Sequence, residues 1–179
     1  MRALPITVTA LAAALLLTAC DSGGSDSGGK DSGSKNADSS ACRIGDVKVQ
    51  VGPANAAPAA GDTGNVPVTL TNRGAQCTLK GFPGVMLFAA GTTATVPEDR
   101  TAEPEKLTLA KGGTASFTLT YVRGKEGDAK SLAATSLKLS LPGDADNLED
   151  FTWSYGPVQG KRDADDPDAS VTAFQQAGD

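Results

Sequence analysis

Apolar and polar side chains alternate in short runs through most of the chain after Cys42. Successive side chains of an extended strand point to opposite faces, so each such run predicts a β-strand with one buried face. No stretch after Cys42 keeps a helical period over ten residues, which argues against α-helices there. The runs that show the pattern are 47–51, 66–70, 85–88, 107–109, 115–121, 137–141, 151–155 and 171–174.

Clusters of glycine, proline and asparagine separate these runs and predict turns. Examples are Gly52-Pro53, Asn72-Arg73-Gly74 and Pro142-Gly143-Asp144. Seven to nine strands at this spacing, with no alternation of strands and helices, are typical of two antiparallel sheets packed face to face. The sequence therefore predicts an all-β, immunoglobulin-like β-sandwich over residues 42–179.

The first nineteen residues have the pattern of a signal peptide. Arg2 supplies a positive charge, and residues 3–18 are mostly apolar but too few to span a bilayer permanently. The run ends Leu17-Thr18-Ala19-Cys20, which resembles the bacterial lipobox. We therefore expect cleavage between Ala19 and Cys20 and a lipid on Cys20; the alternative is an ordinary signal peptide with a chance cysteine.

Residues 20–41 contain serine, glycine, aspartate and lysine but no large apolar side chain. Such a segment cannot bury enough surface to offset the entropy lost on ordering, so it predicts a flexible linker. The lipid and this linker together predict that the chain is anchored at the outer face of the bacterial cytoplasmic membrane. The lipid anchor is the one membrane contact that we expect.

Cys42 and Cys77 remain once Cys20 is acylated. Outside the cytoplasm, two cysteines in one small domain favour a disulfide, with two free thiols as the alternative.

Several segments resemble domain-of-unknown-function family 4232, which is common in actinobacterial secreted proteins and lipoproteins. The most specific segment is Cys77-Thr-Leu-Lys-Gly-Phe-Pro-Gly-Val85, and the resemblance covers about residues 42–175. It implies a small extracytoplasmic β domain without an established activity. Members often carry a second cysteine pair, and its joint absence here favours Cys42 and Cys77 as partners.

The composition excludes several functions. The chain has no histidine, so Ser-His-Asp and Cys-His nucleophiles are missing, as are zinc sites built on histidine. A net charge of −5 gives no electrostatic footprint for nucleic acid. No phosphate-binding glycine loop followed by a helix is present, and we expect neither a metal nor a cofactor.

Carboxylates form two clusters, at 144–150 and 163–168. Neither cluster has the spacing of a calcium-binding loop, so both are interpreted as solvated loop charge. A pair of carboxylates could also hydrolyse a glycosidic bond, and a hydrolase of envelope polymer therefore remains the alternative function.

Phe151, Trp153 and Tyr155 share one face if their strand is regular. The row either fills the core or stands exposed, where it would stack on a sugar or a partner protein. Together with the predicted long polar loops at about 89–106 and 142–150, it supplies the candidate contact surfaces. The sequence thus favours a non-catalytic binding module that meets a protein or glycan partner at the cell envelope, and it does not name that partner.

Overall fold

The computed structural model describes residues 40–53, 55 and 57–177. In this part of the chain, thirteen β-strands and one 3-10 turn over Ile44–Asp46 are present, and no α-helix. The all-β prediction is therefore confirmed. None of the described residues belongs to a helix with the length and apolarity needed to cross a membrane.

The first sheet contains five strands. They are β1 (Val47–Val51), β2 (Thr63–Asn72), β7 (Thr114–Val122), β12 (Ala169–Val171) and β13 (Gln175–Gln176). The strand order is β1-β2-β7-β12, and β13 pairs with β7 beyond the end of β12. All of these pairings are antiparallel.

The second sheet contains β4 (Gly84–Ala89), β5 (Thr92–Thr95), β9 (Ser136–Leu141) and β10 (Asp144–Thr152). These four strands are antiparallel and lie in the order β10-β9-β4-β5.

Two smaller ladders complete the sandwich. In one, β3 (Cys77–Lys80) pairs with β6 (Lys106–Leu109), and in the other β8 (Ser131–Leu132) pairs with β11 (Val158–Gln159).

One apolar core lies between the sheets. Along β7 the burial alternates strictly, with Ala115, Phe117, Leu119 and Tyr121 facing inward. The second sheet contributes the inward face of β9, including Leu137 and Leu139. The alternation read from the sequence is therefore the alternation that fills the core, as expected for two sheets packed face to face.

The disulfide between Cys42 and Cys77 is present, so the prediction of a bonded pair is confirmed. It ties the start of the domain to β3, where Ala41 also forms a parallel bridge with Thr78. Both sulfurs belong to buried residues, with Cys42 only 1% exposed.

Some predicted boundaries were wrong. Residues 89–106 and 142–150 were expected to be loops. The first segment contains β5 (Thr92–Thr95), and in the second β10 begins at Asp144 and runs along the sheet edge with a bulge before Glu149. The predicted strand at 151–155 is only the end of β10, which stops at Thr152. The run at 171–174 is divided between the end of β12 and the turn before β13. The predicted cleavage site at Ala19, the lipid site at Cys20 and almost all of the linker lie outside the described residues.

Candidate functional site

Three aromatic side chains close one end of the sandwich. The rings of Tyr121 and Trp153 meet edge to face with centroids 5.2 Å apart, and Trp153 meets Tyr155 in the same way at 4.9 Å. Edge-to-face contacts place the positive ring edge against the negative face of a neighbour and add to the stabilisation from burial. The three residues therefore form one rigid aromatic cluster.

Hydrogen bonds fix the orientation of each ring in this aromatic cluster. The Tyr121 hydroxyl donates to the carbonyl of Tyr155 at 3.0 Å, and the Tyr155 hydroxyl donates to the carbonyl of Gly52 at 2.9 Å. Trp153 Nε1 donates to the carbonyl of Gly156 at 2.7 Å. Burial raises the pKa of both tyrosine hydroxyls above the ordinary value.

The aromatic row of the sequence is therefore a core feature. Trp153 is only 5% exposed, and Phe151 and Tyr155 are half-buried residues packed against the core. Although β10 ends at Thr152, burial still alternates from Phe151 to Tyr155, so the three side chains share the inward face. Of the two alternatives open from the sequence, the core placement holds and the exposed stacking surface is absent.

The pairing register of β2 and β7 determines the position of Tyr121 in this aromatic cluster. Gly64 lies opposite Tyr121 in the β2–β7 ladder, and the tyrosine ring lies over the glycine. A Cβ atom on Gly64 would stand 2.4 Å from Tyr121 Cε1, so only glycine leaves room for the ring.

An open cavity of about 480 Å³ lies beside the aromatic cluster. One wall comes from the segment between β7 and β9, and the other from the segment that follows β10. Its apolar surface exceeds its polar surface, and we call it the apolar cavity. Its lining residues are Lys125, Glu126, Gly127, Ser131, Ala133, Ala134, Thr135, Trp153, Ser154, Gly156 and Pro157.

A second cavity of about 440 Å³ shares Lys125 and Ser131 with the first. Three lysines and one carboxylate line it, so it is called the basic cavity. Among the residues that the structure describes, none of these lysines forms an ion pair. The lining residues are Ala60, Gly61, Lys125, Asp128, Lys130, Ser131, Gln159, Gly160 and Lys161.

The loop between these two cavities is held by its own hydrogen bonds. The amide of Lys125 donates to Ser131 Oγ at 3.0 Å, and the amide of Lys130 donates to Asp128 Oδ1 at 2.9 Å. Gly160 approaches so closely that an added Cβ would stand 2.5 Å from the carbonyl oxygen of Lys130. The backbone that carries Lys125 and Lys130 is thus ordered by local contacts.

Both cavities lie at the end of the sandwich opposite to the disulfide. Residues 42–46 meet the end of β2, where the amide of Arg73 donates to the carbonyl of Asp46 at 2.8 Å. The cavity loop instead follows Val122, which pairs with Thr63 at the start of β2. The nine residues of β7 separate the two ends by about 27 Å, and we call the cavity end the distal end.

The acidic clusters of the sequence lie elsewhere and apart. Asp144, Glu149 and Asp150 belong to β10, at one edge of the second sheet. The other cluster lines an open cavity of about 520 Å³ with Asp163, Asp165 and Asp166. Thr95 of β5 lines the same cavity, and β5 is the opposite edge strand of this sheet. Three strand spacings, about 14 Å, separate those edges, so the two clusters do not combine into one carboxylate pair.

Local contacts already involve several of these acids. Asp166 Oδ2 accepts a hydrogen bond from Arg162 Nε at 2.8 Å, and this contact raises the pKa of Arg162. Asp144 Oδ2 accepts from the amide of Ile44 at 3.0 Å, and Asp150 lies 3.5 Å from Lys138 Nζ. Burial raises the pKa of Glu149, which Arg73 partly opposes. Within the described ranges, no group of three or more acids or cysteines is arranged to hold a metal.

Sequence reasoning missed the residues of both cavities other than Trp153. Two of the lysines, Lys125 and Lys130, lie in a turn-rich segment without strand pattern. The third, Lys161, is far from them along the chain. The one local signal was the Gly124-Lys-Glu-Gly-Asp-Ala-Lys130 turn, which concentrates charge between two predicted strands.

Comparison with known proteins agrees with the resemblance noted in the sequence. No curated protein and no solved structure is significantly similar to the chain. A family model does match residues 42–175, which is most of the chain and nearly all of the described sandwich. The protein therefore belongs to the family described as Domain of unknown function (DUF4232).

Proposed function

We propose that the protein is a non-catalytic binding module of the bacterial cell envelope. A lipid on Cys20 holds it at the outer face of the cytoplasmic membrane, and a partner binds at the apolar cavity of the distal end. The observation that carries the proposal is the position of this cavity, which is lined by Trp153 of the aromatic cluster at the end opposite to Cys42.

The position of the cavity suits an anchored module. A chain that enters at Cys42 presents the distal end away from its point of attachment, where a partner has access. A glycine-rich linker of the length of residues 20–41 has a root-mean-square reach of about 25 Å. Such an anchor keeps the module near the membrane and raises its effective concentration for partners there.

The chemistry of the cavity also suits binding. Its volume of about 480 Å³ falls within the range of ligand sites, and a mostly apolar lining with a few polar groups is typical of them. Ala133 and Thr135 are exposed at its rim, while Trp153 is fixed by its hydrogen bond to Gly156. A preorganised wall of this kind loses little entropy when a ligand binds.

Proximity labelling from the anchored protein in its native envelope tests the proposal. The variant Ala133→Asp places a charge in the apolar cavity, whereas the matched control Ala145→Asp makes the same change at an exposed position on the edge strand β10. We expect Ala133→Asp to abolish enrichment of the partner and Ala145→Asp to preserve it. Cys20→Ala should lose the same enrichment through release from the membrane.

Equal enrichment with Ala133→Asp and the wild type contradicts binding at this cavity. Absence of any enriched partner, combined with cleavage of an envelope glycan by the purified protein, contradicts the binding module itself.

A carboxylate-based hydrolase is the second candidate, and the acidic cavity favours it. Asp163, Asp165 and Asp166 line about 520 Å³ of open space, although Asp166 is paired with Arg162. Release of reducing ends from envelope polysaccharide, lost in the double variant Asp163→Asn/Asp165→Asn, would support this function over binding.

A further inference from the structure

We propose that the two distal cavities form one composite site for an acidic segment of a partner protein. This inference rests on the proposed function and names the chemistry of its ligand. A carboxylate of the segment lies among Lys125, Lys130 and Lys161, and a neighbouring apolar side chain lies in the apolar cavity against the exposed Ala133, beside the buried Trp153 and Pro157.

The first step of the argument is charge. The chain as a whole is acidic, with a net charge of −5, yet three lysines line the basic cavity. All three are exposed, and none has an ion-pair partner among the described residues. Asp128 is the carboxylate of this cavity, and its Oδ1 atom accepts the amide proton of Lys130. The cavity therefore keeps a positive excess that is complementary to an anionic ligand.

The second step is continuity. Lys125 and Ser131 line both cavities, so a ligand that fills one lies directly beside the other. The apolar cavity adds a surface that a simple anion does not cover. A ligand that uses both cavities carries an anionic group next to an apolar group, as two adjacent residues of an acidic peptide do. Glu126 at the rim of the apolar cavity opposes a second anionic group there.

The third step separates a peptide from other anions. Phosphate polymers of the envelope offer charge but no apolar group for the surface around Trp153. Arg123, whose planar guanidinium could clamp a phosphate, instead donates from Nη1 to the carbonyls of Ala57 and Pro58 at 2.8 and 3.2 Å. Anionic lipid headgroups belong to the membrane, whereas the site lies about 27 Å along β7 from the end where residue 42 enters.

A binding assay with defined probes tests the inference. The full chain carrying Cys20→Ala, so that no lipid contributes, is titrated with a fluorescent peptide of alternating leucine and aspartate. We expect the triple variant Lys125→Glu/Lys130→Glu/Lys161→Glu to weaken binding at least tenfold. Replacing leucine by serine in the peptide should also weaken it, and added salt should reduce the affinity because the attraction is electrostatic.

The matched control is Lys111→Glu, an exposed lysine in the turn before β7, at the end of the sandwich opposite to the cavities. It should bind like the parent chain, and thermal unfolding should show that the triple variant remains folded. If the triple variant binds the peptide as tightly as the Lys111→Glu control does, the inference is overturned.

Three further outcomes overturn the inference in favour of another occupant. They are tight binding of a glycerol phosphate polymer with no peptide binding, binding only to vesicles containing phosphatidylglycerol, and self-association that the triple variant abolishes. The proposed function is tested separately. Partner enrichment in the envelope that depends on Ala133 but not on the lysines leaves the binding module standing and removes only the acidic ligand.

Discussion

At the scale of the residue, Gly64 shows how one missing side chain determines a site. The Tyr121 ring occupies the space where a Cβ of residue 64 would stand, only 2.4 Å from Cε1. The tyrosine in turn contacts Tyr155 and Trp153, and Trp153 lines the apolar cavity. A glycine that does not itself line the cavity thereby controls one wall of the candidate site.

We expect Gly64→Ala to destabilise the fold by about 1–3 kcal/mol, because the added methyl group forces the ring of Tyr121 to move in a close-packed core. Urea denaturation measures the change. Gly45→Ala is the control, since a Cβ there meets nothing within 4 Å. A loss of stability no larger than that of Gly45→Ala would mean that the ring adjusts freely and that the aromatic cluster is not rigid.

The two tyrosines of the aromatic cluster predict a loss of stability in alkali. Burial raises the pKa of Tyr121 and Tyr155, so the folded protein holds these protons more tightly than the unfolded chain does. The resulting stabilisation is complete below the unfolded tyrosine pKa of about 10 and is lost as the pH rises through the folded values.

The free energy of unfolding, measured from pH 8 to 11.5, should fall more steeply in the wild type than in Tyr121→Phe. The same slope in both proteins would show that the Tyr121 hydroxyl deprotonates without cost in the folded state. Near pH 8, Tyr121→Phe should itself be less stable by about 1 kcal/mol, because the carbonyl of Tyr155 loses its donor.

At the scale of the element, the disulfide fixes the start of the sandwich, and β10 forms one exposed edge of the second sheet. The disulfide joins the first described residues to β3, which is short, pairs with β6 and forms a bridge with Ala41. Strand β10 is a polar edge with one exposed large apolar residue, Leu148 at 38%. Charges and a bulge on an edge strand oppose pairing with another chain, which suits β10 to solvent rather than to binding.

Removing the disulfide should destabilise the domain by about 3.5–4 kcal/mol on the chain-entropy model, because the two cysteines are 35 positions apart in the sequence. The comparison uses Cys42→Ala/Cys77→Ala in a Cys20→Ala background, with urea denaturation as the measurement. Reduction of the parent chain by dithiothreitol should give a similar loss. Unchanged stability in both experiments would show that native contacts alone hold residues 42–46 in place.

At the scale of the whole molecule, the two ends of the sandwich carry different features. The disulfide end receives the chain, and the distal end carries both cavities and the aromatic cluster. This arrangement gives the proposed anchor and the proposed binding site separate places in one small domain.

The anchor itself predicts a clear fractionation result. We expect Cys20→Ala to lack the lipid, since no thiol remains to accept it, and to be found either in the medium or as an uncleaved precursor that still contains residues 1–19. Mass spectrometry of the wild-type amino-terminal peptide should show a diacylglycerol on Cys20. A Cys20→Ala protein that is cleaved before residue 20 and still stays with membranes as the wild type does would contradict the lipobox interpretation.

Parts of the fold that depend on local pattern were predictable. The alternation at 115–121 identified β7 and its buried face, and the cysteine content together with the family resemblance indicated the disulfide. The alternation was also visible around Phe151, but it could not locate the end of β10 after Thr152. Strands of two to four residues, such as β5, β8 and β11, are too short for a period to be recognised.

The sequence by itself determined the all-β class, the bonded cysteines and the absence of histidine chemistry, because each depends on residue type and short-range spacing. Only the tertiary structure decided that Trp153 and Tyr155 are core residues, that the two acidic clusters lie at opposite edges, and that Lys125, Lys130 and Lys161 surround one cavity. The last of these depends on the β8–β11 ladder, which joins segments nearly thirty residues apart. Such long-range pairing depends on the packing of the whole chain, so it cannot be predicted from a local residue pattern.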